Sequence, residues 1–329
     1  MEKIKRYTSL DILKCFCAFM VVFIHAGFTN NVFGYTFREI CRIAVPIFFM
    51  ISGYFSVGKN SEKIKLTIKK LLVLQIVSDL VYFIFDIIKA IIMNEEIIEV
   101  IRSYCTIKNI LFNLNNVGWY IRALIYIYIL FLILLKTGKK ISTNKISIYV
   151  ITLIVVDLVL TRYSKLLLGY NPNAAIYEPI TKFIATGLSC FMIGMIIKRK
   201  EDKFKKCKIY IPIIFFLLNL FEIIMFKHYD KNVILCNYLC TIPLAMSIFS
   251  FAIGKDNLKS NLFSTIGQKY STGIYLFHRV IQNVFDVIII RFLKFEQYIY
   301  IRAIFIFIFT TVVVWAYYKI KERIKIIYE

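Results

Sequence analysis

The chain alternates between long apolar runs and short polar gaps. Ten runs come close to the roughly 20 apolar residues that a helix needs to cross a bilayer. They cover residues 10–28, 40–57, 69–93, 117–135, 146–160, 179–197, 209–226, 233–253, 270–293 and 299–318. The apolar positions are consecutive and do not alternate, which disfavours a membrane β-barrel. The pattern therefore predicts an all-α fold, a polytopic bundle of about ten transmembrane helices.

The gaps between these runs carry most of the positive charge. Lys and Arg number 42 against 20 Asp and Glu, so the net charge is +22. If the N-terminus is cytoplasmic, 26 of the basic residues lie in cytoplasmic gaps and 8 in the opposite gaps. Cytoplasmic loops are enriched in Lys and Arg, so this asymmetry predicts that both termini are cytoplasmic. It also accounts for the net charge without a nucleic-acid partner.

The overall composition excludes several classes of protein. Hydrophobic residues make up 59% of the chain, and charged residues 19%, against about 25% in a typical soluble domain. A disordered chain or an ordinary water-soluble enzyme is therefore excluded. Residues 1–329 are expected to form one integral membrane domain without an appended soluble domain. The eight cysteines show no metal-binding spacing with histidine, so no metal site is expected.

The first predicted helix carries three ionisable residues on one face. At 100° per residue, Asp11 and Lys14 lie within about 40° of the direction of His25. Asp11 and Lys14 are three positions apart and can form an ion pair near the cytoplasmic end. His25 lies about 21 Å further along, near the outer leaflet. Because polar groups are costly in a bilayer, this face is expected to point into the bundle.

Arg42 begins the second predicted helix from the outer side, at a depth similar to that of His25. A guanidinium beside a titratable imidazole suits the stabilisation of an oxyanion while the histidine acts as a base. His25 and Arg42 are therefore the predicted catalytic residues. The alternative interpretation is structural, with an interfacial histidine and an arginine that snorkels to the membrane surface.

The gap after the second helix is strongly basic. Its lysines are predicted to bind a phosphorylated donor from the cytosol, although a purely topological signal would give the same pattern. The predicted donor-binding residues are Lys14, Lys63, Lys65, Lys69 and Lys70.

A further group of residues could line a substrate channel. Trp119 and Tyr120 open the fourth helix, where an outer aromatic belt is the alternative explanation, and Arg122 lies a turn deeper. His278 is predicted to lie about 12 Å from the cytoplasmic end of the ninth helix, at a different depth from His25. The candidate channel residues are Asp11, Trp119, Tyr120, Arg122 and His278.

Three stretches resemble, in order, acyltransferase family 3 of integral membrane acyltransferases. They are Leu10-Asp-Ile-Leu-Lys with Val-Val-Phe-Ile-His25, Val45-Pro-Ile-Phe-Phe-Met-Ile-Ser-Gly-Tyr54, and Gly118-Trp-Tyr. The stretch from Tyr270 to His278 is a weaker fourth, and the resemblance covers the whole chain. Members include O-acetyltransferases of bacterial surface polysaccharides and peptidoglycan, and the membrane part of the vancomycin-resistance serine racemase.

The resemblance implies a reaction across the cell membrane. The donor would be acetyl-CoA or another acyl-CoA, a co-substrate and not a permanently bound cofactor, entering from the cytoplasm. The acceptor would be a hydroxyl of a cell-envelope glycan or a similar molecule beyond the outer face. The resemblance also implies that His25 is catalytic and Arg42 is needed. In many members of the family the corresponding loop is rich in arginine, whereas the loop of this chain contains mostly lysine. A lysine offers only a point charge to a phosphate group.

Two other functions are compatible with the sequence. Embedded charges could line the path of a transporter or flippase for a small polar or glycan-linked substrate, although inverted repeats and Gly-rich broken helices are not evident. A scaffold for an envelope polysaccharide machine is the third interpretation. For an enzyme, two roles stay open for His25, either general base or nucleophile through an acyl-histidine intermediate.

Overall fold

The computed structural model describes residues 7–27, 31–112, 117–138, 142–169, 178–229, 237–255, 257–295 and 297–328, and no strand occurs in these ranges. The shorter helices are α2 (Val32–Cys41), α3 (Ala44–Tyr54), α5 (Ile97–Tyr104), α6 (Ile107–Phe112), α9 (Ser164–Leu168), α11 (Glu201–Phe204) and α13 (Thr241–Ile253). The longer ones are α1 (Thr8–Ala26), α4 (Ser61–Met93), α7 (Trp119–Lys136), α8 (Thr143–Leu160), α10 (Ile180–Arg199), α12 (Tyr210–Tyr229), α14 (Leu262–Thr265, Ile266–Tyr270, Ser271–Phe285 and Asp286–Phe292 in succession) and α15 (Tyr298–Tyr328).

These eight longer helices are the described ones that are long and apolar enough to cross a membrane. The predicted class, a helical membrane bundle, is therefore confirmed. Two of the ten predicted segments form shorter helices, because α3 has 11 residues and α13 has 13. At 1.5 Å per residue they reach about 16 and 20 Å, less than the roughly 30 Å hydrocarbon core. The segment at 40–57 is shortened because the chain turns at Arg42 and Ile43.

Proline and polar caps mark where several helices begin. Pro46, Pro212 and Pro243 each occupy the third position of their helix. Proline is tolerated there because the first-turn N–H groups have no partner within the helix. Other helices begin after a residue whose side chain accepts a backbone N–H from the first turn. These capping residues are Asn31, Asn60, Ser142 and Asn261.

The chain divides into two compact units. The first, unit 1, contains Met1–Val45, Asp202–Ile224 and Pro243–Glu329; the second, unit 2, contains Pro46–Glu201 and Met225–Ile242. In unit 1 the most buried membrane helix is α1, with 56% of its span buried, and in unit 2 it is α10, with 67%. Each of these two helices therefore forms the centre of its unit.

In unit 1, α1 crosses α14 with the two backbones in direct contact. A Cβ atom added to Gly267 would lie 1.7 Å from the backbone oxygen of Asp11, so only glycine permits this approach. Aromatic rings complete the packing of α1. Phe23 meets Phe37 of α2 at a centroid distance of 4.5 Å, and Phe19 meets Phe307 of α15 at 5.3 Å.

In unit 2, a similar crossing joins α3 to α10. A Cβ on Gly53 would lie 1.9 Å from the backbone oxygen of Phe191, and one on Gly194 would lie 2.0 Å from that of Met50. The two glycines face each other's helix, so α3 is held against α10 in spite of its short length.

Candidate active site

Two imidazole rings meet inside unit 1. The ring centroids of His25, in the last turn of α1, and His278, in α14, are 5.2 Å apart, with the planes inclined by 39°. His278 is fully buried, at 0% exposure, and His25 is partly exposed. The pair therefore has one enclosed imidazole and one that a substrate can approach.

This contact corrects the predicted depth of His278. The ninth segment was expected to begin at residue 270, which put His278 nearer the cytoplasmic end than His25. The helix instead begins at Leu262, where Asn261 and Ser264 form a reciprocal cap. The stretch Ile266–Tyr270 continues the helix as a π-turn. His278 therefore lies further along its helix than predicted and reaches the level of His25.

The buried ring of His278 has a defined hydrogen-bonding arrangement. Its Nδ1 lies 3.1 Å from the backbone oxygen of Ile274 and 2.7 Å from that of Tyr275. Its other nitrogen, Nε2, is buried and has no hydrogen-bond partner among the described residues. One side of the imidazole is thus held by its own helix, and the other side is available for a donor.

Side chains from α14 and α15 hold the end of α1. Gln282 donates from Nε2 to the backbone oxygen of His25 at 3.4 Å, and Arg302 donates to the backbone oxygen of Ala26. Asp286 links the two, because its Oδ2 lies 3.2 Å from Gln282 Nε2 and 3.4 Å from Arg302 Nη1. The carbonyls at the end of a helix have no internal partner, so these contacts complete the cap and fix the backbone of His25.

Arg42, the second predicted catalytic residue, lies at the end of α2 and forms an ion pair. Its Nε donates to Oε2 of Glu39 at 2.9 Å, and Glu39 is buried, at 4% exposure. The bond uses Nε, so the two terminal nitrogens still carry N–H groups that could meet a substrate oxygen. Arg42 thus has a fixed orientation, with Glu39 as its support.

The predicted pairing of Asp11 and Lys14 is confirmed. Lys14 Nζ lies 3.0 Å from Asp11 Oδ1, and Asp11 is buried. The same residue offers its backbone oxygen to the crossing with Gly267. Both side chains therefore lie in the part of α1 that packs closely against α14.

The candidate channel residues of α7 lie in unit 2. Tyr120 is buried, and its hydroxyl oxygen lies 3.5 Å from Ser52 Oγ. The ammonium of Lys182 lies 5.1 Å from the ring centroid of Trp119. Arg122 pairs with Asp79 of α4 at 2.8 Å and donates to the backbone oxygen of Asn109 at 2.6 Å. Arg122 therefore ties α4 and α7 to the segment before α7.

The predicted donor-binding lysines of α4 are all exposed: Lys63, Lys65, Lys69 and Lys70. They differ in their relation to Lys59, which is half-buried in the preceding loop. Burial, followed by the positive charges of Lys70 and Lys63, lowers the pKa of Lys59 below its usual range. The charges of Lys63 and Lys70 therefore both act on the ammonium group of Lys59.

Lys59 also lines a cavity in unit 2. The cavity has a volume of about 790 Å³ and lies among α7, α8, α10 and the loop before α4. Its walls are mostly leucine, isoleucine, phenylalanine and methionine, with Lys59 and Arg199 as the cationic members. An apolar space with a few convergent charges is typical of a site for an anionic ligand that carries an apolar part.

Sequence reasoning overlooked two residues of this region. Glu39 was not singled out, although its spacing of three from Arg42 on a helix is a recognisable signal. Gln282 carried no signal, because its contact with His25 joins positions 257 apart in the chain. Among the described residues, no group of three or more His, Cys, Asp or Glu could hold a metal ion.

The structure is thus a helical membrane protein whose unit 1 contains two contacting imidazoles and an arginine paired with a buried glutamate. The chain belongs to the acyltransferase 3 family, because the model of that family, described as an acyltransferase domain, matches residues 7–319. The resemblance seen in the sequence is therefore confirmed.

Two relatives from Enterococcus faecalis, each described as an amino-acid racemase, are similar to this chain. One is 29% identical over 153 residues, which cover 42% of this chain and 21% of the relative. The other is 23% identical over 295 residues, which cover 84% of this chain and 40% of the relative. The chain therefore spans less than half the length of these relatives. No solved structure matches it.

Proposed function

We propose that this protein transfers an acyl group, acetyl in the simplest case, from cytoplasmic acyl-CoA to a hydroxyl of an acceptor outside the plasma membrane. A cell-envelope glycan is the proposed acceptor. Family membership supports the reaction class. The observation that carries the proposal is the partly exposed imidazole of His25, held at the end of a buried helix beside a second imidazole. The excess of basic residues in alternate gaps supports donor entry from the cytoplasm.

His25 is proposed to act as the general base. It takes the proton of the acceptor hydroxyl as the oxygen attacks the thioester carbonyl, and the proton leaves with the thiol of CoA. Arg42 stabilises the negative charge that develops on the carbonyl oxygen, with Glu39 holding the guanidinium in place. In the variant mechanism, His25 first takes the acyl group on its own nitrogen.

The phosphate groups of the donor are proposed to bind the basic residues near Lys59. Lys63 and Lys70 raise the positive potential at Lys59, and a bound phosphate would relieve that repulsion. The adjacent cavity offers apolar space for the pantetheine arm or the acyl group. Lys14, Lys65 and Lys69 remain proposed donor contacts, and Asp11, Trp119, Tyr120, Arg122 and His278 remain proposed residues of the substrate path.

Turnover by purified protein tests the proposal. The protein in detergent or nanodiscs is given acetyl-CoA with and without envelope glycans, and release of free CoA is measured. General-base catalysis contributes about 10²–10⁴-fold, so His25→Ala should lose turnover by that factor while its melting temperature stays close to the wild-type value. Arg42→Lys should also lose turnover, because an ammonium cannot replace a guanidinium fork.

Arg38→Lys is the matched control for Arg42. Arg38 lies on the same helix but is exposed, so its replacement should leave CoA release unchanged. Folded His25→Ala protein with wild-type turnover would refute the proposed chemistry. Absence of acceptor-stimulated CoA release from wild-type protein, together with uptake of a glycan-linked substrate into vesicles, would instead support a transporter.

A further inference from the structure

We infer that Asp286, Tyr298 and Arg302 form a subsite that binds the hydroxyl groups of the acceptor beside the end of α1. The inference rests on the proposed function, in which a hydroxylated acceptor reaches His25 from outside the membrane. It names the residues of unit 1 that hold this acceptor and the chemical class of ligand that they fit.

The three side chains lie together where α14 meets α15. Arg302 Nη1 lies 3.4 Å from Oδ2 of Asp286. The ring of Tyr298 packs against Phe305 at a centroid distance of 5.9 Å. Phe305 in turn packs at 4.9 Å against Phe285, which precedes Asp286 in the chain. The charges of Asp286 and Arg302 both act on the Tyr298 hydroxyl, so the three groups share one small region.

Each of these side chains has a buried polar atom without a hydrogen-bond partner among the described residues. The atoms are Oδ1 of Asp286, the hydroxyl oxygen of Tyr298 and Nε of Arg302. Tyr298 as a whole is only 1% exposed. A buried polar atom without a partner costs free energy, and native structures contain few of them. Three such atoms in one region therefore indicate contacts that form when a ligand binds.

The chemical types of the three atoms match hydroxyl groups. A carboxylate oxygen only accepts a hydrogen bond, a guanidinium nitrogen only donates one, and a phenol does both. A ligand hydroxyl also does both, so two neighbouring hydroxyls can satisfy all three atoms. An anionic ligand would be repelled by Asp286 and a cationic one by Arg302. The cluster therefore favours a neutral ligand with several hydroxyl groups, such as a sugar ring.

The subsite adjoins the end of α1 that carries His25. Gln282 donates from Nε2 to Oδ2 of Asp286 at 3.2 Å and to the backbone oxygen of His25 at 3.4 Å. Arg302 donates to the backbone oxygen of Ala26. Asp286 and Arg302 thus contact α1 through some atoms while Oδ1 and Nε face elsewhere. A sugar bound at Oδ1 and Nε would lie beside the last turn of α1.

This region is at the ends of its two helices, where a ligand can enter. The last part of α14 ends at Phe292 and α15 begins at Tyr298, and the distribution of basic residues predicts that these ends face the outside. The side chains of Asp286 and Arg302 are 23% and 17% exposed. At Asp286 the helix changes to π geometry, which occurs frequently at functional sites.

Tyr298→Phe separates ligand binding from packing because it removes only the hydroxyl group. A hydroxyl that held the protein together would lower the melting temperature when removed, whereas one without a partner should not. We therefore expect a melting temperature equal to or above the wild-type value. The KM for the envelope glycan that stimulates CoA release should rise about three- to tenfold, the loss of one hydrogen bond. The value of kcat and the KM for acetyl-CoA should change less.

Tyr300→Phe is the matched control. Tyr300 lies two positions further along α15 and is exposed. Removal of its hydroxyl should leave the melting temperature and the KM for the glycan at their wild-type values. A lower melting temperature of Tyr298→Phe, or an unchanged KM for the glycan, would overturn the inference.

Monodeoxy forms of the same glycan test the contact from the side of the ligand. The form that lacks the hydroxyl bound by Tyr298 should have a raised KM with the wild-type protein. With Tyr298→Phe, loss of that hydroxyl should cause little further increase, because the contact is already absent. Fully additive effects for every monodeoxy form would refute the contact.

His25→Ala is measured in parallel so that two failures can be told apart. If the glycan stimulates CoA release by the wild type but not by His25→Ala, and Tyr298→Phe keeps the wild-type KM for the glycan, only the subsite is refuted. If no glycan stimulates the wild type and His25→Ala releases CoA at the same rate, the proposed function fails and the subsite fails with it.

Discussion

His25 lies in the last turn of a helix, where backbone oxygens have no partner within the helix. Gln282 and Arg302 supply the missing donors from two other helices. The same contacts that cap α1 therefore also fix the base proposed for catalysis. A cation at the C-terminal end of a helix is further favoured by the helix dipole, which suits Arg302 at this position.

Lys59 provides a test at the scale of one residue. Its pKa is lowered by burial and by Lys70 and Lys63, so it loses its charge at a lower pH than an ordinary lysine does. If it binds donor phosphate, the KM for acetyl-CoA should begin to rise at a lower pH than that at which an ordinary lysine loses its charge, because the neutral amine no longer attracts the anion. Lys59→Arg, which stays charged, should flatten this rise.

Lys65→Arg is the control for that experiment, since Lys65 is exposed and is not among the charges that act on Lys59. It should keep the wild-type pH dependence. An identical rise of KM in the wild type and in Lys59→Arg would show that Lys59 does not bind the donor.

At the scale of the helix, α4 divides its lysines between two faces. Lys63 and Lys70 are seven positions apart and nearly aligned, whereas Lys65 and Lys69 point roughly 120–160° away from Lys63. Replacement of Lys63 and Lys70 by Gln should therefore raise the KM for acetyl-CoA more than it lowers kcat. Replacement of Lys65 and Lys69 by Gln changes the net charge equally and should have a smaller effect. Equal effects of the two double variants would indicate that only the summed charge matters.

The crossing of α1 and α14 predicts a difference between two glycines of one helix. A Cβ on Gly267 meets the backbone of Asp11 at 1.7 Å, whereas a Cβ on Gly273 meets the side chain of Val314 at 2.7 Å. A side chain can rotate away, and such overpacking typically costs about 1–3 kcal/mol. A backbone cannot rotate away, so Gly267→Ala should reduce the yield of folded protein and the melting temperature more than Gly273→Ala does.

The thermal transition and the elution profile in detergent measure this difference. Equal stability of the two variants would mean that α1 and α14 can separate at Gly267 without cost. Because His278 lies on the same helix as Gly267, the Gly267→Ala protein that does fold should also lose turnover.

For the whole molecule, the distribution of basic residues predicts the orientation in the membrane. A reporter fused after residue 329 should lie in the cytoplasm, and one inserted within residues 94–116 should lie outside. A reporter within the basic gap at 198–208 is the cytoplasmic control. An external C-terminus would indicate an odd number of crossings, which matters here because α3 and α13 are shorter than a full span.

The membrane class and the pairing of Asp11 with Lys14 could be predicted from the sequence alone. Both depend on local or summed properties, namely the length of apolar runs and a spacing of three on a helix. Glu39 and Arg42 have the same spacing of three, so their ion pair could also have been predicted from the sequence. The choice of His25 depended on its place on the ionisable face of α1 and on the family resemblance.

The partner of His25 was decided only by the tertiary structure. The predicted depth of His278 was wrong because the start of α14 depends on the cap at Asn261 and on the contact of Gly267 with α1. The length and position of an apolar run indicate neither of these features. The contacts of His278 and Gln282 with α1 join the two ends of the chain. Such contacts depend on which helices pack together and at what register, so hydrophobic periodicity predicts the helices themselves but not the imidazole pair that they form.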